Sequence, residues 1–176
     1  MSDKQKGFSL IELLIVVAII LIISAIAIPS MIRAKVAANQ SSAAASLRTI
    51  SSAAASYSSS YQDGYPPNLG VLGPPAGATG CNAAGLIDAV LVTGQKSGYA
   101  FTWNIGSTQV APGNVPAGCP AGYVDMYSVN ADPFGFPTGN THYCVDATGV
   151  IRQDPNVIAT TAAGGCNPAT QPIGEN

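Results

Sequence analysis

The feature that most restricts the folds open to this chain is a long apolar stretch near its N-terminus, residues 8–28. Only Ser9, Glu12 and Ser24 interrupt it. A helix of that length spans about 30 Å, which is the hydrocarbon thickness of a bilayer. Because the stretch is apolar on all sides, it has no polar face with which to lie along a surface. It therefore predicts a helix surrounded by lipid or by other helices.

The composition of the remainder excludes some classes of function. A chain of 176 residues leaves room for one globular domain once the N-terminal segment is subtracted. Only 9% of the residues are charged, the net charge is −2, and no basic run occurs outside the N-terminus. Such a chain has no electrostatic footprint for a phosphate backbone, so nucleic acid is not expected as its main partner.

Four cysteines follow the apolar stretch, at Cys81, Cys119, Cys144 and Cys166. None has the CxxC or CxH spacing of zinc sites. An even, dispersed set predicts disulfides, and with them an oxidising compartment beyond the cytoplasmic membrane. Three pairings are compatible with the sequence, and the alternative is four buried free thiols in a cytosolic protein.

The apolar segment has three competing interpretations. As a secretory signal peptide it would end in Ala25-Ile26-Ala27 and release a soluble binding protein after Ala27. Against this, the stretch exceeds the usual length of roughly 7 to 15 residues, carries Glu12, and is followed by Pro29. As a plain single-span anchor it would give Glu12 no purpose, at a cost of about 2.5 to 3.5 kcal/mol at the helix centre. The third interpretation gives Glu12 a role.

Residues 7–20, GFSLIELLIVVAII, resemble the class III signal of type IV prepilins and type II secretion pseudopilins, and the likeness continues through residues 25–29. A glycine, a phenylalanine, a glutamate four residues later and a proline share the spacing of that motif. The resemblance implies that prepilin peptidase removes residues 1–7 by cutting between Gly7 and Phe8, and methylates the new amine of Phe8. Many members have a glycine in the middle of the helix, where this chain has Leu21.

The resemblance also implies a structural subunit rather than an enzyme. Its partners would be copies of itself, minor pilins, and an inner-membrane assembly platform with an ATPase. The product would be a type IV pilus-like filament for adhesion, motility or DNA uptake, or alternatively the pseudopilus of a type II protein secretion system. Before assembly, the chain would cross the inner membrane once, in contact with lipid, and the C-terminal domain would be periplasmic or extracellular.

The charges flanking the apolar stretch do not set its orientation. Lys4 and Lys6 on one side are matched by Arg33 and Lys35 on the other. The cysteines favour a C-terminal domain outside the cytoplasm, because disulfides form in oxidising compartments.

The pairing of Phe8 with Glu12 has a physical rationale of its own. Cleavage after Gly7 would leave an ammonium at Phe8 on a helix N-terminus, where partial positive charge already accumulates. The Glu12 carboxylate, one turn away, could offset that ammonium or the one of a neighbouring subunit. Unpaired charges are costly in lipid, so Glu12 favours docking of the next subunit in one register. The alternative places Glu12 at the level of the headgroups.

Pro29 is expected to shape the same helix and to take part in assembly. It lacks an N–H and clashes with the preceding turn, so it predicts a kink or local break over residues 25–29.

The domain organisation predicted is a leader at 1–7, a transmembrane and assembly helix at 8–29, a continuing amphipathic helix at 30–60 and a globular domain at 61–176.

The predicted helix at 30–60 is dense in Ala and Ser and contains neither Gly nor Pro. Its apolar residues recur at three- and four-residue steps, which is typical of one helical face: Leu47, Ile50, Ala54, Tyr57 and Tyr61. The alternative is a flexible linker, which the helix propensity of Ala disfavours.

In the predicted globular domain, the sequence indicates loops, one short helix and antiparallel strands. Four prolines make residues 63–80 a loop, and Asn82 is expected to cap a helix at 83–93, a prediction weakened by Gly85. Strands are predicted at 99–105, at 123–129 and as two runs within 143–152 around a Thr148-Gly149 turn. Residues 106–122 predict a loop, and the tail at 156–176 is expected to be ordered only if Cys166 is tied down. The fold class is α+β and pilin-like, with the long N-terminal helix packed on a small antiparallel sheet of three or four strands.

Nothing in the sequence predicts catalysis or a cofactor. His142 is the only histidine, and no serine elbow, HExxH or phosphate loop accompanies it, so a surface or turn histidine is expected. The best candidates for calcium ligands are four aspartates, Asp125, Asp132, Asp146 and Asp154. Their spacing matches no EF-hand loop, so no metal site is predicted and calcium stays an alternative. The tyrosines are expected in the core and at interfaces.

Overall fold

The computed structural model describes residues 7–61, 64–106, 108–109, 119, 123–158, 160–161 and 164–174. The chain divides into two compact units, Met1–Lys35 and Val36–Asn176. Helix α1, Leu10–Tyr61, contributes to both. The α+β fold class is confirmed, because the second unit combines its part of this helix with an antiparallel sheet.

The first unit contains the apolar part of α1. Its described residues are exposed, apart from the half-buried Ser24 and Ile32. By length and composition this helix could cross a membrane. Of the predicted kink or local break, the break is wrong, because the helix continues without interruption through Pro29. The kink stays a prediction. A proline inside a helix removes one backbone hydrogen bond, and here the turns on both sides keep their helical conformation.

The part of α1 in the second unit buries one stripe. The buried residues recur every three or four positions, at Ala43, Ser46, Leu47, Ile50, Ala53, Ala54 and Tyr57. This confirms the predicted apolar face, and Tyr61 adds a half-buried ring packed against the same core. Each fully buried large side chain stabilises the fold by about 1.5 to 3 kcal/mol relative to exposure. The stripe therefore holds this part of the helix on the domain.

The sheet against which the stripe packs has six antiparallel strands in the order β1-β2-β5-β6-β7-β8. They are β1 Gln95–Lys96, β2 Tyr99–Ile105, β5 Tyr127–Pro133, β6 His142–Asp146, β7 Ile151–Asp154 and β8 Gln171–Pro172. A separate pair joins β3 Thr108–Gln109 to β4 Tyr123–Val124. The prediction of three or four strands was too low, because a two-residue strand is too short to show alternation.

Both faces of the central strand β5 are covered. Tyr127, Val129 and Ala131 share the core cluster with the stripe of α1. On the other face, Cys144 of β6 packs with Ile158 from the C-terminal segment. This explains why Tyr127 to Ala131 are all buried and why the alternation expected of a half-exposed strand is missing.

The helix predicted at 83–93 is wrong. The structure has two one-turn helices instead, α2 Leu69–Leu72 capped by Asn68 and α3 Ala89–Val92 capped by Asp88. Gly85 has φ +67°, which is incompatible with a right-handed helix. The surrounding amides donate to an earlier segment: those of Leu86 and Ile87 both bond to the carbonyl of Leu72.

Strand β2 matches the prediction residue for residue. The strand predicted at 123–129 is divided between β4 and β5, and the hairpin between β6 and β7 is confirmed. Gly149, with φ +75°, donates its amide to the carbonyl of Asp146 in that turn. Of the loop predicted at 106–122, only Gly106, β3 and Cys119 lie among the described residues.

Candidate functional site

The N-terminus of α1 is capped by Glu12. The backbone amide of Ser9 donates to Oε2 of Glu12 at 2.9 Å, just before the helix begins at Leu10. The Leu13 amide donates to the carbonyl of Ser9, which closes the first turn. A carboxylate here accepts from an otherwise unpaired amide and lies at the positive end of the helix dipole.

Sequence reasoning assigned Glu12 to the Phe8 ammonium and missed this second role. The sequence contains a signal for this role, because Ser9 and Glu12 have the spacing of a capping box, a serine followed three residues later by a glutamate. Glu12 therefore lies against the start of its own helix before any partner is bound.

Gly7 and Phe8, the predicted cleavage positions, precede the helix and have no regular secondary structure. The Phe8 ring is 81% exposed. Exposed, non-helical backbone is the kind that peptidases reach most easily. The geometry is thus compatible with a cut directly before Phe8.

Pro29 does not share a site with Glu12. Both residues are exposed, and 17 positions separate them within α1, about 25 Å of helix. The structure therefore brings together Phe8, Ser9 and Glu12 at the start of the helix and leaves Pro29 about five turns further along it.

The cysteines form two disulfides, Cys81–Cys119 and Cys144–Cys166. This selects one of the three pairings that the sequence left open. The second disulfide attaches the C-terminal segment to β6. The amide of Cys166 also donates to Oδ2 of the buried Asp146 at 3.0 Å.

The four aspartates considered as calcium ligands are dispersed, and each has its own interaction. Asp132 pairs with Nδ1 of His142 at 2.6 Å, and Asp154 accepts from the amide of Asn156 at 2.8 Å. Asp146 accepts from the Thr148 amide at 3.0 Å in the hairpin turn, and Asp125 is also engaged. Within the described ranges, no group of three or more His, Cys, Asp or Glu residues is placed to hold a metal ion.

His142 is the first residue of strand β6 and is half-buried, so of the predicted surface or turn position the turn is wrong. Its Nδ1 atom is hydrogen-bonded to Oδ1 of Asp132. Among the described residues, no serine or cysteine nucleophile is hydrogen-bonded to the ring. The arrangement is that of a hydrogen-bonded histidine–carboxylate pair across strands β5 and β6.

Several tyrosines pack in the core, as expected. Burial raises the pKa of Tyr99 to about 12, with a further increase from the neighbouring Tyr143, although the hydrogen bond to the Thr141 carbonyl opposes both. Burial likewise raises the pKa of Tyr127 and that of Tyr143. These rings are held neutral by the core and serve packing.

Among protein families, the prokaryotic N-terminal methylation motif matches residues 2–28. No match was found among curated proteins or among solved structures. The matched residues include the predicted cut, Phe8 and the capping residue Glu12. Together with the apolar helix, this motif fits a protein anchored in a membrane by a single pass. Residues 2–28 of this chain therefore carry this motif, which supports a class III signal of the kind found in type IV pilins and pseudopilins.

Proposed function

We propose that the chain is a structural subunit of a type IV pilus-like filament and polymerises through residues 8–29. The observation that carries the proposal is the methylation motif at residues 2–28, located on a helix whose apolar residues are exposed. Such a surface needs lipid before assembly and other helices afterwards. The apolar helix supplies contact area in every direction, which suits a filament core.

The geometry at Glu12 supports a role in setting the register of assembly. The Ser9 amide already holds this carboxylate at the helix N-terminus. Removal of residues 1–7 would place a positive amine on Phe8, one residue before Ser9, within reach of the same carboxylate. A neighbouring subunit's Glu12 would compete for that amine, and in an apolar surrounding the pairing of opposite charges favours one axial position.

The C-terminal unit supports a surface filament over a periplasmic pseudopilus. Its two disulfides suit either oxidising compartment, the periplasm or the cell exterior, so the preference rests on the low charge of the chain. The chain has only 9% charged residues, so Ser, Thr, Gly and Asn supply much of the polar character. Prepilin peptidase, an assembly platform with its ATPase and minor pilins are the partners that this function requires.

Mass spectrometry of the mature N-terminus tests the proposal. N-methylated Phe8 is the expected result. A mature chain beginning at Ile28 would identify a secreted protein, and one beginning at Met1 or Ser2 a plain anchor; either would overturn the proposal. Deletion of the gene distinguishes the two filaments: loss of sheared surface fibres is expected, whereas loss of protein secretion would assign the chain to a pseudopilus.

Substitution Glu12→Ala tests the role of the carboxylate. We expect insertion and cleavage to persist, and surface filaments to fall at least about tenfold, because removing one partner of a buried charge pair leaves the other charge unpaired. Filaments are measured by immunoblot of the sheared fraction. Glu12→Asp, which keeps a carboxylate at the same position and leaves the apolar surface unchanged, is the matched control. Normal filament yield from Glu12→Ala would show that Glu12 acts only as a helix cap.

A further inference from the structure

Two exposed phenylalanines lie in the connection between β5 and β6. Phe134 is 58% exposed and Phe136 is 80% exposed. Among the described residues of Val36–Asn176, they are the only aromatic residues among the large, exposed apolar side chains. An aromatic ring has roughly 150 to 250 Å² to bury, so two uncovered rings in one short loop indicate a contact surface. We call residues 134–138 the phenylalanine loop.

The phenylalanine loop is held in place by hydrogen bonds of its backbone. The Phe134 amide donates to the Gly98 carbonyl at 3.0 Å, and the Thr138 amide donates to the Gly135 carbonyl at 2.7 Å. The side-chain amide of Asn39 in α1 donates to the Thr138 carbonyl at 2.8 Å. A preorganised loop loses little conformational freedom on binding, so its rings can be buried at a low entropy cost.

An open groove of about 390 Å³ lies elsewhere on the same unit. It is lined by Leu86 and by one side of α1, at Arg48, Thr49, Ser52, Ala53 and Ser56. Ala53 is buried and Leu86 is 38% exposed, so both offer carbon atoms to an occupant. The Thr49 hydroxyl donates to the Ala45 carbonyl at 3.1 Å and needs no hydrogen bond from outside. We call this feature the α1 groove.

Arg48 gives the α1 groove a positive charge. This side chain is exposed and forms no ion pair with any other residue that the structure describes. A guanidinium is attracted to the face of an aromatic ring whose centroid lies within about 6 Å. Residues 133–141, which include the phenylalanine loop, carry no charge that would repel it. The α1 groove therefore suits an aromatic ring presented by an uncharged loop.

The loop and the groove of one chain are too far apart to meet. Asn39, which binds the loop, precedes Ser52 in the groove by 13 positions of α1, or about 20 Å. Strand β5 runs antiparallel to this part of α1, since its first residue, Tyr127, is hydrogen-bonded to Ser51. The loop that follows β5 therefore extends away from the groove. Only another copy of the chain can bring a loop and a groove together.

A protrusion and a groove at different places on one molecule form a heterologous contact. Each copy that docks its loop leaves its own groove free for a further copy, so the contact repeats and generates a helical fibre unless the rotation closes a ring. A symmetric contact between two loops would stop at a dimer. Because a filament subunit needs a contact that propagates, a second copy is the occupant that this pair of surfaces favours.

We propose that the phenylalanine loop of one copy docks in the α1 groove of the next copy, with the Phe136 ring between Arg48 and Leu86 of that copy. The contact adds a link between C-terminal units to polymerisation through residues 8–29. With the Val36–Tyr61 parts of α1 parallel, the two copies are displaced by about 20 Å along them. This inference rests on the proposed filament function.

Photocrosslinking in sheared filaments of the full chain tests the contact. The photoreactive residue p-benzoylphenylalanine replaces Phe136 in one variant and Val157 in the matched control. Val157 is 66% exposed and precedes Ile158, which packs on the other face of the sheet. Crosslinked dimers are reduced and digested with trypsin, which releases residues 49–96 as one peptide with both sides of the groove. Fragment spectra then locate the crosslinked residue.

We expect dimers crosslinked from position 136 to map to residues 48–56 or to residue 86, and those from position 157 to map elsewhere. The reverse experiment, with the crosslinker at Ser52, should capture residues 134–138. Filaments in which position 136 is linked to another phenylalanine loop, to a different protein or to nothing would overturn the inference and leave the filament function intact. Absence of surface filaments from the unsubstituted chain would overturn both.

Paired substitutions test the same contact without a crosslinker. Phe136→Ser removes the ring and Ser52→Trp fills the groove; both positions are exposed, so the thermal midpoint of the C-terminal unit should not change. Each change should lower the yield of sheared filaments at least about fivefold, and the double variant should lose no more than the larger single loss. Val157→Ser is the control with unchanged yield. Losses that multiply in the double variant, or a normal yield from either single variant, would contradict docking.

Discussion

The two units of this chain handle apolar side chains in opposite ways. In Met1–Lys35, Leu14 is 60% exposed, and in Val36–Asn176, Leu47 is completely buried, although both occupy the same helix. In the first unit, the apolar stretch of helix α1 is apolar on every side. In the second unit, the same helix buries apolar residues along one stripe only. Helix propensity is similar in both parts, so the difference lies in what surrounds them.

This contrast separates two sources of stability. The C-terminal unit buries a core of apolar residues within its own fold and needs no partner to do so. The N-terminal segment has no internal partner for its side chains, and its apolar surface is matched only by lipid or by other helices. Changes in the second unit should therefore alter the stability of the monomer, and changes in the first should alter insertion and assembly.

The comparison is tested most strongly by two leucine substitutions in one helix. Leu47→Ala should lower the free energy of unfolding of the C-terminal unit by about 2 to 5 kcal/mol, because it leaves a cavity in the core. Leu14→Ala should change that quantity by less than about 0.5 kcal/mol, because the side chain is exposed. Urea unfolding in detergent, followed by the emission of Trp103, measures both. Equal losses would show that the two units fold as one.

The disulfide Cys144–Cys166 should have the next largest effect. Replacing both cysteines by Ala should destabilise the C-terminal unit by about 3 kcal/mol, the value expected for a loop of this size; its sequence separation is 22. The thermal midpoint of the unit measures the loss, and far-UV circular dichroism should retain the helix signal of the first unit. An unchanged thermal midpoint in the double variant would show that this disulfide does not stabilise the C-terminal unit.

A glycine pair sharpens the comparison within the C-terminal unit. A methyl group at Gly139 would overlap the hydroxyl of Tyr99, which is buried and donates to the Thr141 carbonyl. Gly139→Ala should therefore destabilise the unit by about 1 to 3 kcal/mol. Gly77→Ala, at an exposed site with no atom within 4 Å of the added carbon, is the control and should be nearly neutral. Chemical denaturation of both variants measures the loss. Equal free energies of unfolding would show that the space between Gly139 and Tyr99 accommodates a methyl group.

The smallest effect expected is a dependence on alkaline pH that is confined to the C-terminal unit. The pKa of Tyr99 is raised to about 12 from 10.0, so the unfolded chain releases this proton at lower pH than the folded chain does. The contribution of Tyr99 to stability should then be constant below about pH 10 and be lost as the pH rises between about 10 and 12. Tyr99→Phe should flatten that decline, and Tyr61→Phe, with a half-buried ring, is the control. The thermal midpoint against pH measures it, and an unchanged slope in Tyr99→Phe would refute the assignment.

Much of the architecture was predictable from local patterns. The stripe at Leu47, Ile50 and Tyr57 predicted the packed face of α1, and aromatic residues together with a Thr148-Gly149 turn predicted β2 and the hairpin of β6 and β7. These features depend on periodicity or on turn chemistry, which residues close in the chain determine. The helix predicted at 83–93 failed because Gly85 adopts positive φ and the amides nearby bond to Leu72, a partner that no local pattern reveals.

The candidate site shows the same division. Gly7, Phe8 and Glu12 were predicted from the resemblance of residues 7–29 to a prepilin signal, and the motif match covers all three positions. Their roles in cleavage, methylation and assembly stay predictions. The hydrogen bond from Ser9 to Glu12 was missed, although the spacing of a capping box contained it. The phenylalanine loop had no sequence signal, because two phenylalanines beside a strand are usually part of a core.

The sequence by itself determined the apolar helix, its processing signal, the α+β class and the presence of an even set of cysteines. Only the tertiary structure decided which cysteines pair, how six strands are ordered and which rings stay in water. The physical reason is that periodicity and spacing are local quantities. Disulfide pairing, strand order and burial depend on contacts between residues far apart in the chain, where many arrangements satisfy the same local preferences.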